Sequence, residues 1–148
     1  MTFSYDHNQS LGYLSGITSR LLNNTLAAHF KEAGIEMTSE QWGAIIILLN
    51  EGAMTQGALG ERLHLEKSSV SRLTNGLEKR GWIVRAIDPN DSRQRQVTPT
   101  PKALDVAQQC ATIAWAIHEE AQRGMDEEER RISRTLLTRI IKNLEGGS

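Results

Sequence analysis

EKSSVSRLTNGLEKRGWIVRAIDPNDSRQRQVTPT, residues 66–100, is the stretch on which the fold turns. In its first half Val70, Leu73 and Leu77 recur at spacings of three and four, a stripe that a helix must bury. At about 100° per residue, Ser68, Arg72, Asn75 and Lys79 fall on the opposite side, with Ser71 at the flank. Gly81 follows Lys79 and Arg80, the pattern of a left-handed C-terminal cap with cations in the last turn to oppose the helix dipole. Trp82-Ile83-Val84-Arg85-Ala86 then reads as a strand, Ile87 to Ser92 as turn chemistry, and Arg93, Arg95, Val97 and Thr98 as a return strand. The fold class expected is mainly α with a small β-hairpin wing, a winged helix-turn-helix.

The polar helix face has a composition that plain solvation does not require. It combines small hydroxyl residues with one amide and two cations, and the residues named on it include no acid. Small polar side chains let a helix approach base edges, Arg bonds guanine O6/N7, Asn bonds adenine N6/N7, and Lys neutralises phosphate. The partner this predicts is double-stranded DNA. Ser68, Ser69, Ser71, Arg72 and Asn75 are expected to face the major groove, and Arg93 and Arg95 to serve the wing. Thr38, Thr55 and Lys79 are expected to hold backbone phosphates. Net charge over the 148 residues is -1, yet residues 67–95 carry seven Lys/Arg against three acids, a local +4. Such concentration supplies an electrostatic footprint, while the acidic remainder limits non-specific adhesion.

Asp88-Pro89-Asn90-Asp91-Ser92-Arg93, with Thr100 seven residues beyond that arginine, resembles the wing signature of the MarR (multiple antibiotic resistance regulator) family. Ser68 to Leu73 and Leu77 to Trp82 are similar to that family's recognition helix and its end. Where the family has Leu before the Thr this chain has Pro99, and the Gly expected three residues after it is Ala103. Since Pro cannot donate to a ladder, the return strand is expected to end early or lie on an edge. The resemblance implies a two-fold dimer with interlocking terminal helices. It also implies a repressor released by a small aromatic or anionic effector, with Arg20, Trp42 and Trp115 as places to look for its pocket. Read without the resemblance, each tryptophan is a core anchor and Arg20 a solvated helix residue. Glu66 matches an acidic position that in the family bridges to the wing arginine, here Arg93.

The flanking sequence organises around this module. Leu11, Leu14, Ile17, Leu21, Leu22, Leu26 and Phe30 trace a helix from about residue 10 to 31. Thr38-Ser39-Glu40-Gln41 is a capping box that opens a helix through Ile45-Ile46-Ile47-Leu48-Leu49, apolar all round and expected at the buried centre. Thr55 caps a short helix bearing Leu59 and Leu63, in which Gly60 is explained by close packing. After the wing, one helix opens at Pro101 and another at the cap pair Asp126 and Glu129. Residues 37–100 form the expected DNA-binding lobe of a single domain, 1–148. They cannot cover the stripes of residues 1–36 and 101–148, so these helices are expected to pair with a second copy. A C2 homodimer implies a pseudo-palindromic operator.

Other function classes lack a pattern. The four histidines are scattered without an i,i+4 partner, no phosphate-binding glycine loop occurs, and no nucleophile–base arrangement is recognisable. No metal, no cofactor and no enzymatic activity is expected. The longest apolar run, Ala44 to Leu49, falls far short of a membrane span, and the start resembles no signal peptide. The single cysteine, Cys110, fits a reducing cytoplasm and reads as an inert buried thiol. Two alternatives stay open: a winged helix that binds protein without specific DNA binding, and a helical dimer that binds a small molecule.

Overall fold

The computed structural model describes residues 1–146, and the chain divides into two compact units, residues 1–114 and 115–148. The first unit begins with a 3-10 turn, His7–Gln9, followed by α1 (Leu11–Glu32), α2 (Ser39–Glu51), β1 (Met54–Thr55), α3 (Gln56–Leu63) and α4 (Lys67–Lys79). Then come β2 (Ile83–Asp88), β3 (Asp91–Pro99) and most of α5 (Pro101–Ala121). The end of α5 and α6 (Glu127–Gly146) make the second unit. Gly146 closes α6, and residues 147 and 148 lie outside those described.

Local chemistry sets the boundaries. Thr38 Oγ1 accepts from Gln41 N at 3.0 Å while Gln41 Oε1 accepts from Thr38 N at 3.0 Å, the reciprocal bonding of a capping box. Thr55 Oγ1 accepts from Ala58 N at 3.1 Å to start α3. α4 ends in a Schellman motif: Trp82 N donates to Leu77 O and Gly81 N to Glu78 O, with Gly81 at φ +80°. Thr100 Oγ1 donates to Gly81 O at 2.6 Å and accepts from Ala103 N at 3.3 Å, joining the end of α4 to the start of α5.

The core of the first unit gathers Phe30, Ile45, Leu48, Leu59, Leu77, Trp82, Ile83, Val97 and Cys110, so one layer holds α2, α3, α4 and the sheet together. The expected buried stripe of α4 is present, with Thr74 added to Val70, Leu73 and Leu77. Gly60 of α3 is explained as expected: a Cβ there would lie 3.2 Å from Val70 Cγ1.

Several expectations need correction. α2 is not buried all round, because Ile46 is 36% exposed and only Gln41, Trp42, Ala44, Ile45 and Leu48 are buried. The wing is a three-stranded sheet of order β1-β3-β2. β1, which pairs Met54 with Val97 and Thr55 with Gln96, is too short to show a period in sequence. The turn is only Pro89-Asn90, held by Asn90 N donating to Asp88 Oδ1, with a register irregularity at Ile87/Asp88. β3 does not end early: Pro99 is its last residue, opposite Ile83 and beyond the reach of β1, where a missing N–H costs no ladder bond.

In the second unit Gly124, at φ +86°, turns the chain between α5 and α6. Asp126 and Glu129 exchange bonds at 2.8 and 2.9 Å as the predicted cap pair. Arg130 Nη1 donates to both oxygens of Glu119 at 2.9 Å and its Nε to Met125 O at 3.2 Å, clamping the corner. Ile132, Leu136, Leu137, Ile141 and Leu144 of α6 are exposed.

Candidate nucleic-acid interface

α4 follows α3 through His64-Leu65-Glu66, with His64 in the left-handed region at φ 56°. Its outward side carries Ser68, Arg72, Asn75 and Lys79, all exposed, with Ser69 and Ser71 half-buried beside them. Arg72 Nη2 donates to Ser69 Oγ at 3.4 Å, and Gln56 Nε2 of α3 donates to Ser71 Oγ at 3.3 Å. Thr38 and Thr55 sit at the N-termini of α2 and α3, where helix N–H groups and the dipole favour an anion. Their hydroxyls already serve as caps, so phosphate contact there would add to that role.

Sequence reading missed the residue that organises this face. Arg85 of β2, with a side chain 14% exposed, directs its guanidinium at α3 and α4. Nη1 donates to Gln56 Oε1 at 3.1 Å and Thr74 Oγ1 at 3.2 Å. Nη2 donates to Asn75 Oδ1 at 2.8 Å and Glu78 Oε1 at 3.0 Å. All four terminal hydrogens are engaged, whereas Nε is buried without a hydrogen-bond partner. Glu78, an acid at the border of the reading face, is neutralised by this contact. The hydrogen bond from Arg85 holds its carboxyl below the usual carboxylate range. In sequence, the signal available was strand alternation, which puts Arg85 on the inward side with Ile83.

The wing arginines are exposed. Arg93 has a side chain 89% exposed and Arg95 is exposed. The expected Glu66–Arg93 bridge is not formed. Arg93 instead donates through Nε (3.2 Å), Nη2 (3.4 Å) and its backbone N (3.0 Å) to Asp91, two residues away in the same strand. That local pairing lowers the Asp91 pKa, chiefly through the side-chain hydrogen bond from Arg93. Glu66 is the N-cap residue of α4 and makes no side-chain cap bond.

The three residues named for an effector have different surroundings. Trp42 is a core anchor, its ring edge-on to Phe30 at 6.2 Å. Arg20 is exposed on α1. Trp115 is not a core anchor: it is 67% exposed, with the His118 ring edge-on at 5.5 Å. The first unit has an open cavity of about 300 Å³ between the start of α2 and α4, lined by Thr38, Gln41, Leu65, Ser69 and Arg72. Another, of about 490 Å³, lies at the end of α1 against Lys31, Glu36 and Arg80. Neither Arg20 nor Trp42 lines them. Cys110 is buried, and burial pushes its thiol pKa up to about 11. Among the described residues no group of three or more His, Cys, Asp or Glu could hold a metal ion, and no helix is long and apolar enough to cross a membrane.

Residues 37–94 match the model of the MarR family. The chain is 26% identical to the HTH-type transcriptional regulator SarZ of Staphylococcus haemolyticus over 95% of this chain and 92% of that protein. Two solved structures share the fold. A mutant MarR from E. coli complexed with operator DNA has a TM-score of 0.82 at 19% identity, covering 94% of this chain and 99% of that one. The PcaV transcriptional regulator of Streptomyces coelicolor, in complex with its natural ligand, has a TM-score of 0.80 at 22% identity, covering 95% and 98%.

Proposed function

Because this chain belongs to the MarR family of transcriptional regulators, we propose that it acts as a homodimeric repressor that binds a pseudo-palindromic operator and is released by a small-molecule effector. The observation that carries the DNA-binding reading is the outward side of α4, with Ser68, Arg72, Asn75 and Lys79 exposed, beside a wing on which Arg93 and Arg95 are exposed. In this reading residues 37–100 are the DNA-binding lobe. Ser68, Ser69, Ser71, Arg72 and Asn75 meet base edges, Thr38, Thr55 and Lys79 meet phosphates, and Arg93 and Arg95 serve the wing.

Dimerisation is supported by apolar surface on the terminal segments. Phe3, Tyr5, Leu11, Leu14 and Leu21 are 48–87% exposed, and Leu136, Leu137, Ile141 and Leu144 are 47–75% exposed. Apolar surface on this scale in a single chain marks an interaction face. Effector release is supported by the ligand complex of PcaV. Arg20, Trp42 and Trp115 remain the side chains to mutate in seeking that site. An effector acts here only if it binds better to a dimer whose recognition helices are wrongly spaced for successive major grooves.

The experiment is fluorescence anisotropy of the full chain on its own upstream DNA and on random duplex across a salt series. Selective, salt-dependent binding is expected. Arg72→Ala should weaken specific binding by about 1–3 kcal/mol, while Arg95→Ala should weaken all sequences alike and reduce the salt slope by about 1. Equal losses for both variants on both DNAs would defeat this division of labour. Weak, equal binding of the unmodified protein to both would favour the protein-binding alternative.

A further inference from the structure

We propose that Arg85 is a positioning residue that biases the reading edge of α4 toward donors, so that the base opposite Asn75 is guanine rather than adenine. This rests on the DNA-binding reading. The argument is one of hydrogen-bond valence. A guanidinium has no acceptor, so any group bonded to it must present one, and in an amide, hydroxyl or carboxylate that is an oxygen. Arg85 Nη2 lies 2.8 Å from Asn75 Oδ1, which fixes the amide's orientation and turns its NH2 away from Arg85. Adenine recognition by Asn needs both halves of the amide, the oxygen for N6–H and the nitrogen for N7. With one lone pair of that oxygen taken by Arg85 and the NH2 turned outward, Asn75 leads with donors, and guanine is the purine whose major-groove edge, N7 and O6, consists of acceptors alone.

The same constraint spreads from Arg85 to a neighbour. Its Nη1 takes Gln56 Oε1 at 3.1 Å, so the Gln56 amide must point its NH2 elsewhere, and that NH2 donates to Ser71 Oγ at 3.3 Å. Ser71 thereby has an acceptor site filled from behind and its own O–H free to donate. Ser69 Oγ is in the same state, accepting from Arg72 Nη2 at 3.4 Å. Asn75, Ser71, Ser69 and Arg72 therefore all offer hydrogen to the groove. Adenine N6 and cytosine N4, which are donors, are left only the second lone pair of an oxygen already bonded within the protein. The contact with Glu78 at 3.0 Å completes the device by neutralising the one acid beside them.

The test selects binding sites from a randomised duplex library with the full chain, then repeats the selection with Asn75→Ala, Arg85→Met and Arg85→Lys. The position at which Asn75→Ala alone loses preference identifies the base it reads. That base is expected to be guanine, and replacing it with 7-deazaguanine should weaken binding of the unmodified protein about tenfold. Arg85→Met and Arg85→Lys should relax or shift the preference at this same position, because neither can hold four oxygens in one plane. A merely structural Arg85 would weaken all sequences together and leave the base profile intact. Adenine at the Asn75 position, an unchanged profile in Asn75→Ala, or indifference to 7-deazaguanine would each overturn the proposal, the last without any variant that must fold. Absence of any enriched sequence would instead remove the DNA-binding reading itself, and this inference with it.

Discussion

Gly60→Ala should destabilise the protein although it replaces the second-worst helix former with the best. In a helix interior the exchange favours Ala by about 1 kcal/mol. Against this stands Val70, 3% exposed, in the first turn of α4. The added methyl would lie 3.2 Å from its Cγ1, 3.3 Å from its Cβ and 3.5 Å from its Cγ2. Carbon pairs prefer about 3.5–4.0 Å. Neither neighbouring atom can swing aside, since Cβ is fixed to the α4 backbone and a helical valine is held in one χ1 rotamer. Relief requires α3 and α4 to separate by a few tenths of an ångström, and overpacking of this kind costs about 1–3 kcal/mol. The balance is a loss of about 1 kcal/mol.

Gly57 in the same helix is the internal control, because a Cβ there meets only Gln94 Oε1 at 3.8 Å. Gly57→Ala should therefore stabilise by about 0.5–1 kcal/mol. For a chain of this length 1 kcal/mol moves the melting temperature by about 3 °C, so the two alanine variants should differ by about 6 °C in circular-dichroism melts at one fixed concentration. In a Val70→Ala background the obstacle is gone, and Gly60→Ala should turn stabilising. Equal shifts for the two glycines, or the same Gly60→Ala effect with and without Val70, would refute the packing argument.

Thr38→Ala removes the Oγ1 half of the α2 capping box, keeps the backbone N–H that donates to Gln41 Oε1, and should lower stability by about 1 kcal/mol, read as a melting shift of about 3 °C. An unchanged melt would mean that the Oγ1 bond carries no net free energy. Asp91→Asn weakens the hold on Arg93 and deletes a negative charge beside the DNA path, so it should raise affinity for random duplex and steepen the salt dependence in anisotropy titrations. In the unmodified protein the Asp91 pKa is depressed, so the tether is complete above the ordinary Asp value of about 3.9 and is lost only as pH falls through the lower folded value. The wing contribution to binding should accordingly not change between pH 5 and 8, and a change confined to Asp91-containing protein would contradict this. Cys110, with its thiol pushed up to about 11, should resist iodoacetamide at pH 7.5 in the folded protein and react once urea unfolds it. Stoichiometric labelling of the native protein would place the thiol at a surface instead.

What the sequence disclosed, and what it concealed, follows the range of the interactions concerned. The Thr38–Gln41 and Asp126–Glu129 caps, the Gly81 stop and the Val70–Leu73–Leu77 stripe act within a few residues, so their spacing is their signature. β1 joins the sheet through two residues, too few for any period, and only β3 reveals it. Family spacing gives the wing arginine a partner 27 positions away in Glu66, while the acid two positions away, in geometry to accept three bonds, is the one it uses. Trp115 reads as a core anchor because the residue type and periodicity report that a face is apolar and not what covers it. Arg85 is the instructive case. Counted only as charge, it strengthened a basic segment; its four partners lie 7 to 29 residues away on two helices and share no period with it. Yet strand alternation sets Arg85 on the same side as buried Ile83, and a cation placed inward must find oxygens. The helix that precedes the strand supplies Glu78 and Asn75 one turn apart on its last two turns. An inward arginine facing an amide on a recognition helix thus bears on specificity: it decides which half of that amide is left for DNA, a consequence no count of charges conveys.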